Sequence, residues 1–374
     1  MAHYPHGGGH WSVCLQYLLG LRDMGIDFRW LELFRRSNDK QRDTRKLYLF
    51  IERFKRFNLH ENIIIATYPA SCHRPCRSDL EFPNVSEQIV DRFIEDADYL
   101  WNFHASMPPQ LLAMFKRKIL LDLDPGHLQV SAPQSGLNIS CHDTYFSVGL
   151  NILGKDCLVP HLGFEWKPFF PPIHLNYWRN AANVHPTNAF TSITQWNWGE
   201  LHWGGHSLSV SKRDAYMRYI ETPSLAGIPI ELAANIGSKE VDNRDRAELS
   251  KFGWSVVMPH TRVRSLTMYR SYIQQSFGEF GCAKPVFVKL RTGWFSDRTA
   301  AYLAAGRPVV IEKTGIPANI SLGDGILTFS TPEEAVHQLQ SCTSNYQQRS
   351  SQAVAFAERY LDSSKVLSSI IEQS

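Results

Sequence analysis

The stretch RTGWFSDRTAAYLAAGRPVVIEKTG, Arg291 to Gly315, decides how this chain folds. Ser296 or Asp297 can cap a helix by accepting a bond from a free first-turn amide. Ala300, Ala301, Ala304 and Ala305 give that helix small packing surfaces, Gly306 ends it, and Pro308 to Ile311 reads as a buried strand. The loop Trp294 to Arg298 then lies at a helix N-terminus, where unbonded N–H groups and the positive end of the helix dipole attract an anion. Arg298 beside it adds a charge-assisted donor. Ser296, Asp297, Arg298 and Thr299 are therefore the candidate ligands of a diphosphate group.

Working outward, apolar runs recur at Phe28 to Leu33, Ile63 to Ala66, Tyr99 to Phe103 and Ile119 to Leu123. They return at Phe190 to Thr194, Ile228 to Ala233, Val256 to Met258, Val309 to Ile311 and Ile326 to Phe329. Runs without strict polar alternation suit strands covered on both faces, and the helix-patterned segments between them give a doubly wound α/β plan. Trp166 to Ile173, with Pro168, Pro171 and Pro172, reads as an irregular connection between two such units. At 374 residues one core is too few. The expected division is residues 1–180, residues 181–350, and a closing segment 351–374 that packs back on the first unit. Final helices are expected near Glu333 to Gln340 and Gln347 to Ile371.

At the other end, Gly7, Gly8, Gly9 and His10 stand before an amphipathic helix from about Trp11 to Met24. Glycines let backbone approach a ligand closely, and an imidazole at the head of the helix can take a proton from a hydroxyl near neutral pH. A tight turn with an incidental histidine would use the same residues.

Two strings, HGGGHWSVCLQYLLGLRDMG and GWFSDRTAAYLAAGRPVV, resemble the opposite ends of GT-B fold glycosyltransferases of the family 1 and 4 type. The resemblance spans most of the chain and implies two Rossmann-like domains facing a central cleft. It implies an acceptor-binding first domain and a nucleotide-sugar-binding second domain. GGGH also looks like the first loop of transferases that add N-acetylglucosamine to a lipid precursor, and the family implies His10 as catalytic base. Lys212, opening SKRDAYMRYI, matches the place of a phosphate-binding basic residue or is a surface lysine, and Glu279 in SFGEFGCAK, on the approach to the same loop, is a donor-sugar contact or a structural carboxylate. Two departures stand out: Gly293 and Ala301 occupy places where retaining members carry glutamates. Only Met1 to Pro5 precede the glycines, where the family has an apolar strand.

Charge and composition narrow the partners. A net charge of +3 without a basic aromatic face argues against nucleic acid, and no apolar run is long enough to span a membrane. Seven irregularly spaced cysteines suit a reducing cytoplasm rather than a disulfide framework. Cys72, His73 and Cys76 lack a completing ligand pair for zinc. Asp122 and Asp124 in LLDLDPGHLQ could hold a metal but better suit a sheet-end cap, and His127 and His142 are lesser cleft candidates. The expectation is sugar transfer from a nucleotide sugar to a hydroxyl, with inversion favoured and neither metal nor cofactor. An epimerase on the same scaffold, or a silent nucleotide-sugar-binding protein, are the alternatives.

Overall fold

The computed structural model describes residues 1–137, 139–179 and 184–374. The expected boundary between residues 180 and 181 lies outside the described residues. The first half supplies β1 (Trp30–Arg35), β2 (Ile63–Tyr68), β3 (Leu100–Phe103), β4 (Lys118–Asp122), β5 (Thr144–Ser147) and β6 (Trp166–Pro168). All pairings are parallel, in one sheet β1-β2 and another β3-β4-β5-β6. Ile63, Ile64, Ile65 and Ala66 are all buried, as a strand covered on both faces requires.

Two expectations fail here. Trp166–Pro168 is regular structure, an edge strand along Tyr145–Ser147, where the proline costs no ladder bond. Met1 to Pro5 form turns, not a strand. They line the free edge of β1 through side chains: Ala2 N–H donates to Glu32 Oε1 at 2.6 Å, and Arg35 N–H donates to His3 Nε2 at 3.2 Å.

The second half supplies β7 (Phe190–Gln195), β8 (Glu200–Trp203), β9 (His206–Ser209), β10 (Ile230–Asn235), β11 (Trp254–Val257), β12 (Gly278–Gly281), β13 (Val309–Glu312) and β14 (Ile326–Phe329). Six of them form one parallel sheet in the order β11-β10-β7-β12-β13-β14, while β8 and β9 form a separate hairpin. The chain runs outward from β7 to β11, then returns to β12 on the other side. The crevice above β7 and β12 is therefore the topological switch point, where open α/β sheets hold ligands.

The expected long final helix is broken. Tyr346–Phe356 passes through a π-helical turn, Ala357–Leu361, and restarts as Ser363–Glu372 after Asp362, whose carboxylate caps Ser364 N–H at 3.0 Å. Ile173 N–H donates to Leu361 O at 2.6 Å and Ser363 N–H to Ile173 O at 2.9 Å, so the outgoing and returning chain lie side by side. The last helix packs on the first at Gly20, where a Cβ would stand 2.6 Å from Leu367 Cδ1. Tyr17, Leu21, Leu367 and Ile370 share one apolar core.

Candidate functional site at the strand-order reversal

The helix expected after Ser296 runs Asp297–Ala304, and Ser296 Oγ accepts from Arg298 N–H at 3.2 Å. The Arg298 side chain does not reach outward. Its Nε donates to Glu279 Oε1 at 2.6 Å and its Nη1 to Ile193 O at 2.8 Å. Glu279 is 0% exposed on β12, and its other carboxylate oxygen has no partner. The structure thus corrects Glu279 as a sugar contact: it faces the interior beneath the helix. Thr299 is buried in the same turn, while Asp297 stays partly exposed. Burial pushes the Asp297 carboxyl above its ordinary pKa, against the pull of Arg298.

Lys212 behaves differently. It opens the helix Lys212–Arg218, is buried, and donates to Cys282 O. Its ammonium lies 4.9 Å from the Trp294 ring centroid, with no carboxylate in ion-pair range among the described residues. Burial first, then repulsion from Arg298 and Lys284, pulls its pKa down to about 7. Beside it, Glu312 is satisfied by the Tyr219 hydroxyl at 2.8 Å and Ala283 N–H at 2.9 Å. Lys284 is neutralised across the cleft by Asp124 at 2.6 Å, and Asp124 also bonds His127 Nδ1 at 2.9 Å. Burial works against ionisation of Asp124, but His127 and Lys284 outweigh it and hold the carboxyl well below the usual range.

In the first half the helix starts at Gly8, earlier than expected, so Gly8, Gly9 and His10 form its first turn. A Cβ on Gly8 would lie 2.3 Å from Val263 O and 2.6 Å from Ser265 O, and one on Gly9 3.1 Å from Tyr269. These two glycines admit another part of the protein. Gly7 is freer, its nearest neighbour being His10 Cβ at 3.4 Å. His10 is exposed, edge-on to Tyr4 at a 5.8 Å centroid distance. Crowding by surrounding protein lowers its pKa, helped by the Met1 ammonium and by His104. His104, at the end of β3 in a left-handed conformation with φ 55°, carries no sequence signal of its own.

The two places where the resemblance would put glutamates are closely packed. Gly293 has φ +68°, and a Cβ there would lie 2.4 Å from Asn151 N. Leu150 N–H donates to Gly293 O at 3.2 Å and Gly149 pairs with Trp294, so first-half backbone presses on this loop. Ala301 is 2% exposed within the core. Between the loop and the first helix lies a cavity lined by Ser12, Gln16, Tyr17, Trp294 and Asp297, and the buried Tyr17 hydroxyl has no partner. His10 is outside that lining.

The remaining candidates are structural. Asp122 accepts from Gln129, Ser147 and the Asp124 amide at 2.9, 2.7 and 2.9 Å, and His142 is held by Asn102 and Ile139 O. Cys72 and Cys76 both point their thiols at Asp79.

No family model and no curated protein matches the sequence. Solved structures do match. Anabaena HepE in complex with UDP and glucose superposes with a TM-score of 0.56 at 12% identity, over 97% of this chain and 95% of that one. HepE in complex with UDP-glucose gives 0.55 at 12% identity, over 98% and 95%. A structure described as trehalose-6-phosphate from E. coli bound with UDP-2-fluoro glucose gives 0.54 at 11% identity, over 97% and 95%. The doubly wound sheets, the switch-point crevice and these end-to-end superpositions together identify the GT-B fold, two Rossmann-like domains facing a central cleft.

Proposed function

We propose that the chain transfers a sugar from a nucleotide-sugar donor to a hydroxyl-bearing acceptor, with inversion and without a divalent metal. The observation that carries this is Lys212: a buried ammonium without a carboxylate partner among the described residues, at the switch point and against the Trp294 loop. A buried cation left unpaired is costly, and an incoming diphosphate would supply its counter-charge. Its neighbours in fold space were solved with UDP or UDP-glucose bound, which fits that ligand.

In this reading Lys212 and the first-turn amides of Asp297, Arg298 and Thr299 hold the diphosphate, Ser296 caps the helix, and Arg298 adds positive potential from below. Gly7, Gly8 and Gly9 bring His10 to the cleft. The acceptor oxygen attacks the anomeric carbon, its proton passes to His10, and the bond to the diphosphate oxygen breaks. The lowered pKa of His10 keeps it neutral and ready to accept that proton. The first domain, expected over residues 1–180, binds acceptor and the second, 181–350, binds donor. Seven free cysteines fit a cytoplasmic setting, and no described helix is long and apolar enough to cross a membrane. A second reading, nucleotide-sugar binding without transfer, draws on Gly293 and Ala301, which leave no room for a carboxylate.

A thermal-shift screen against UDP, GDP, TDP and their sugars tests the donor. One family should raise the melting temperature, by mass action on the native state. No rise with any of them sinks the proposal. Turnover should survive exhaustive EDTA treatment; loss restored by manganese ends the metal-free account.

A further inference from the structure

The helix Lys40–Lys55, which joins β1 to β2, and its C-cap Arg56 hold seven Lys or Arg against Asp43 and Glu52. That is a net +5 in a chain of net +3, so the rest of the molecule is slightly negative. The fold then withdraws the acids. Asp43 is buried and accepts from Ser37 N–H at 2.6 Å and Ser37 Oγ at 2.8 Å, and Glu52 is taken by Lys55 at 2.7 Å. Phe50 and Phe54 fix the inner face against Trp11 of the first helix, at centroid distances of 5.3 and 5.9 Å, and the Arg53 guanidinium lies over the same ring. Outward, Arg45, Tyr48, Glu52 and Arg56 follow one row at helical spacing, with Arg42 and Lys55 on its flanks. Tyr48 is 61% exposed in the middle of this face. Arg42, Arg45 and Arg56 are exposed and have no carboxylate in ion-pair range among the described residues.

Arg42 meets like charges three and four residues on, at Arg45 and Lys46. Such pairs weaken a helix, so the face is held at a cost that an external anion would relieve. We propose that this face docks the protein on an anionic lipid surface. Negative headgroups attract unpaired cations on one side of a helix, and the amphipathic ring of a tyrosine settles at headgroup depth. A protein partner would need an apolar centre shut off from water, and the neighbours of Tyr48 along the row are charged. A nucleic-acid duplex would use the cations and leave Tyr48 idle. Because the inner face is committed to Trp11, the helix binds as a fixed surface, and attachment is reversible and sensitive to salt. No residue of this face belongs to the proposed donor or base chemistry, so the inference stands apart from the transfer reading.

The test is sedimentation of the full chain with vesicles of pure phosphatidylcholine, or of phosphatidylcholine and phosphatidylglycerol in equal parts. Binding to the anionic vesicles should be at least tenfold tighter than to the neutral ones and should weaken with added salt. Arg45→Glu combined with Arg56→Glu should weaken it at least tenfold, Arg45→Lys combined with Arg56→Lys less than threefold, and Tyr48→Ser by a smaller factor than the charge reversal. UDP affinity should stay within twofold in all of them. Arg45→Gln combined with Arg56→Gln gives the same reading should the reversal fail to fold. No binding to either vesicle, equal binding to both, or anionic binding that survives loss of both cations overturns the docking face. Retention of the wild type on a nucleic-acid duplex without vesicle binding overturns it in favour of a nucleic-acid partner.

Discussion

Two helix starts face the cleft, and they differ in what fills the space before them. At Gly8 the neighbours are carbonyl oxygens of Val263 and Ser265, so the glycine is needed for protein to approach protein. At Asp297 the neighbours are the partly exposed carboxyl itself and a cavity shared with Ser12 and Gln16. A glycine run before a helix therefore does not by itself mark a phosphate site. In the proposed reading the diphosphate is held at Lys212, the buried cation with no carboxylate in ion-pair range among the described residues.

The comparison can be broken most forcefully at His10. If the first helix start contributes a base and the second contributes charge, His10→Ala should slow turnover by about 10² to 10⁴ while leaving donor binding nearly intact. A folded variant keeping more than about a tenth of wild-type turnover rejects the base. Next comes Arg298→Ala. Removing one partner of a buried ion pair costs about 3 to 5 kcal/mol, and Glu279 would be left wholly buried and unpaired. Urea unfolding should show that loss; unchanged stability would mean the pair is relaxed in solution.

Lys212→Met sharpens the second helix start, since it removes the cation and keeps the bulk. UDP affinity should fall by about 1.5 to 3 kcal/mol, the scale of a hydrogen bond to a charged group. The pH dependence follows from the sign of the shift. With a free-state pKa of about 7, Lys212 loses its proton as pH rises above that value. A bound diphosphate favours the charged form, so wild-type affinity should drop between pH 7 and 9, at most about tenfold per unit. A wild-type profile as flat as that of Lys212→Met removes Lys212 from the site. The smallest effect belongs to Gly8→Ala, which forces the helix start away from Val263 and Ser265. Overpacking of this kind costs about 1 to 3 kcal/mol, and differential scanning calorimetry should register it without any change in UDP affinity.

Much of the fold was legible because parallel strands buried on both faces write continuous apolar runs. Ile326 to Phe329 was placed to the residue. β12 was not, because Gly278, Glu279 and Gly281 leave a single apolar side chain, and the strand owes its place to flanking ladders and the ion pair beneath it. The hairpin was missed because Trp203, Gly204, Gly205 and His206 read as loop. At the site, the cap at Ser296 was visible from local chemistry alone. The Arg298–Glu279 pair joins residues 19 apart and the Lys284–Asp124 pair residues 160 apart, and no local pattern encodes either partner. The same holds for the close approach of Gly293 to Asn151, which shows only once two distant segments meet.

The side-by-side passage of Ile173 with Leu361 and Ser363 has a topological consequence. Everything that builds the six-stranded sheet enters and leaves the rest of the molecule at one spot, so that sheet is an insertion. A short splice joining Ile173 to Asp362 would delete it without opening a gap in the remaining backbone, because those two points already share an isolated parallel bridge. The inserted segment is a single continuous stretch, and the first and last helices that flank it meet outside it, at Gly20 and Leu367.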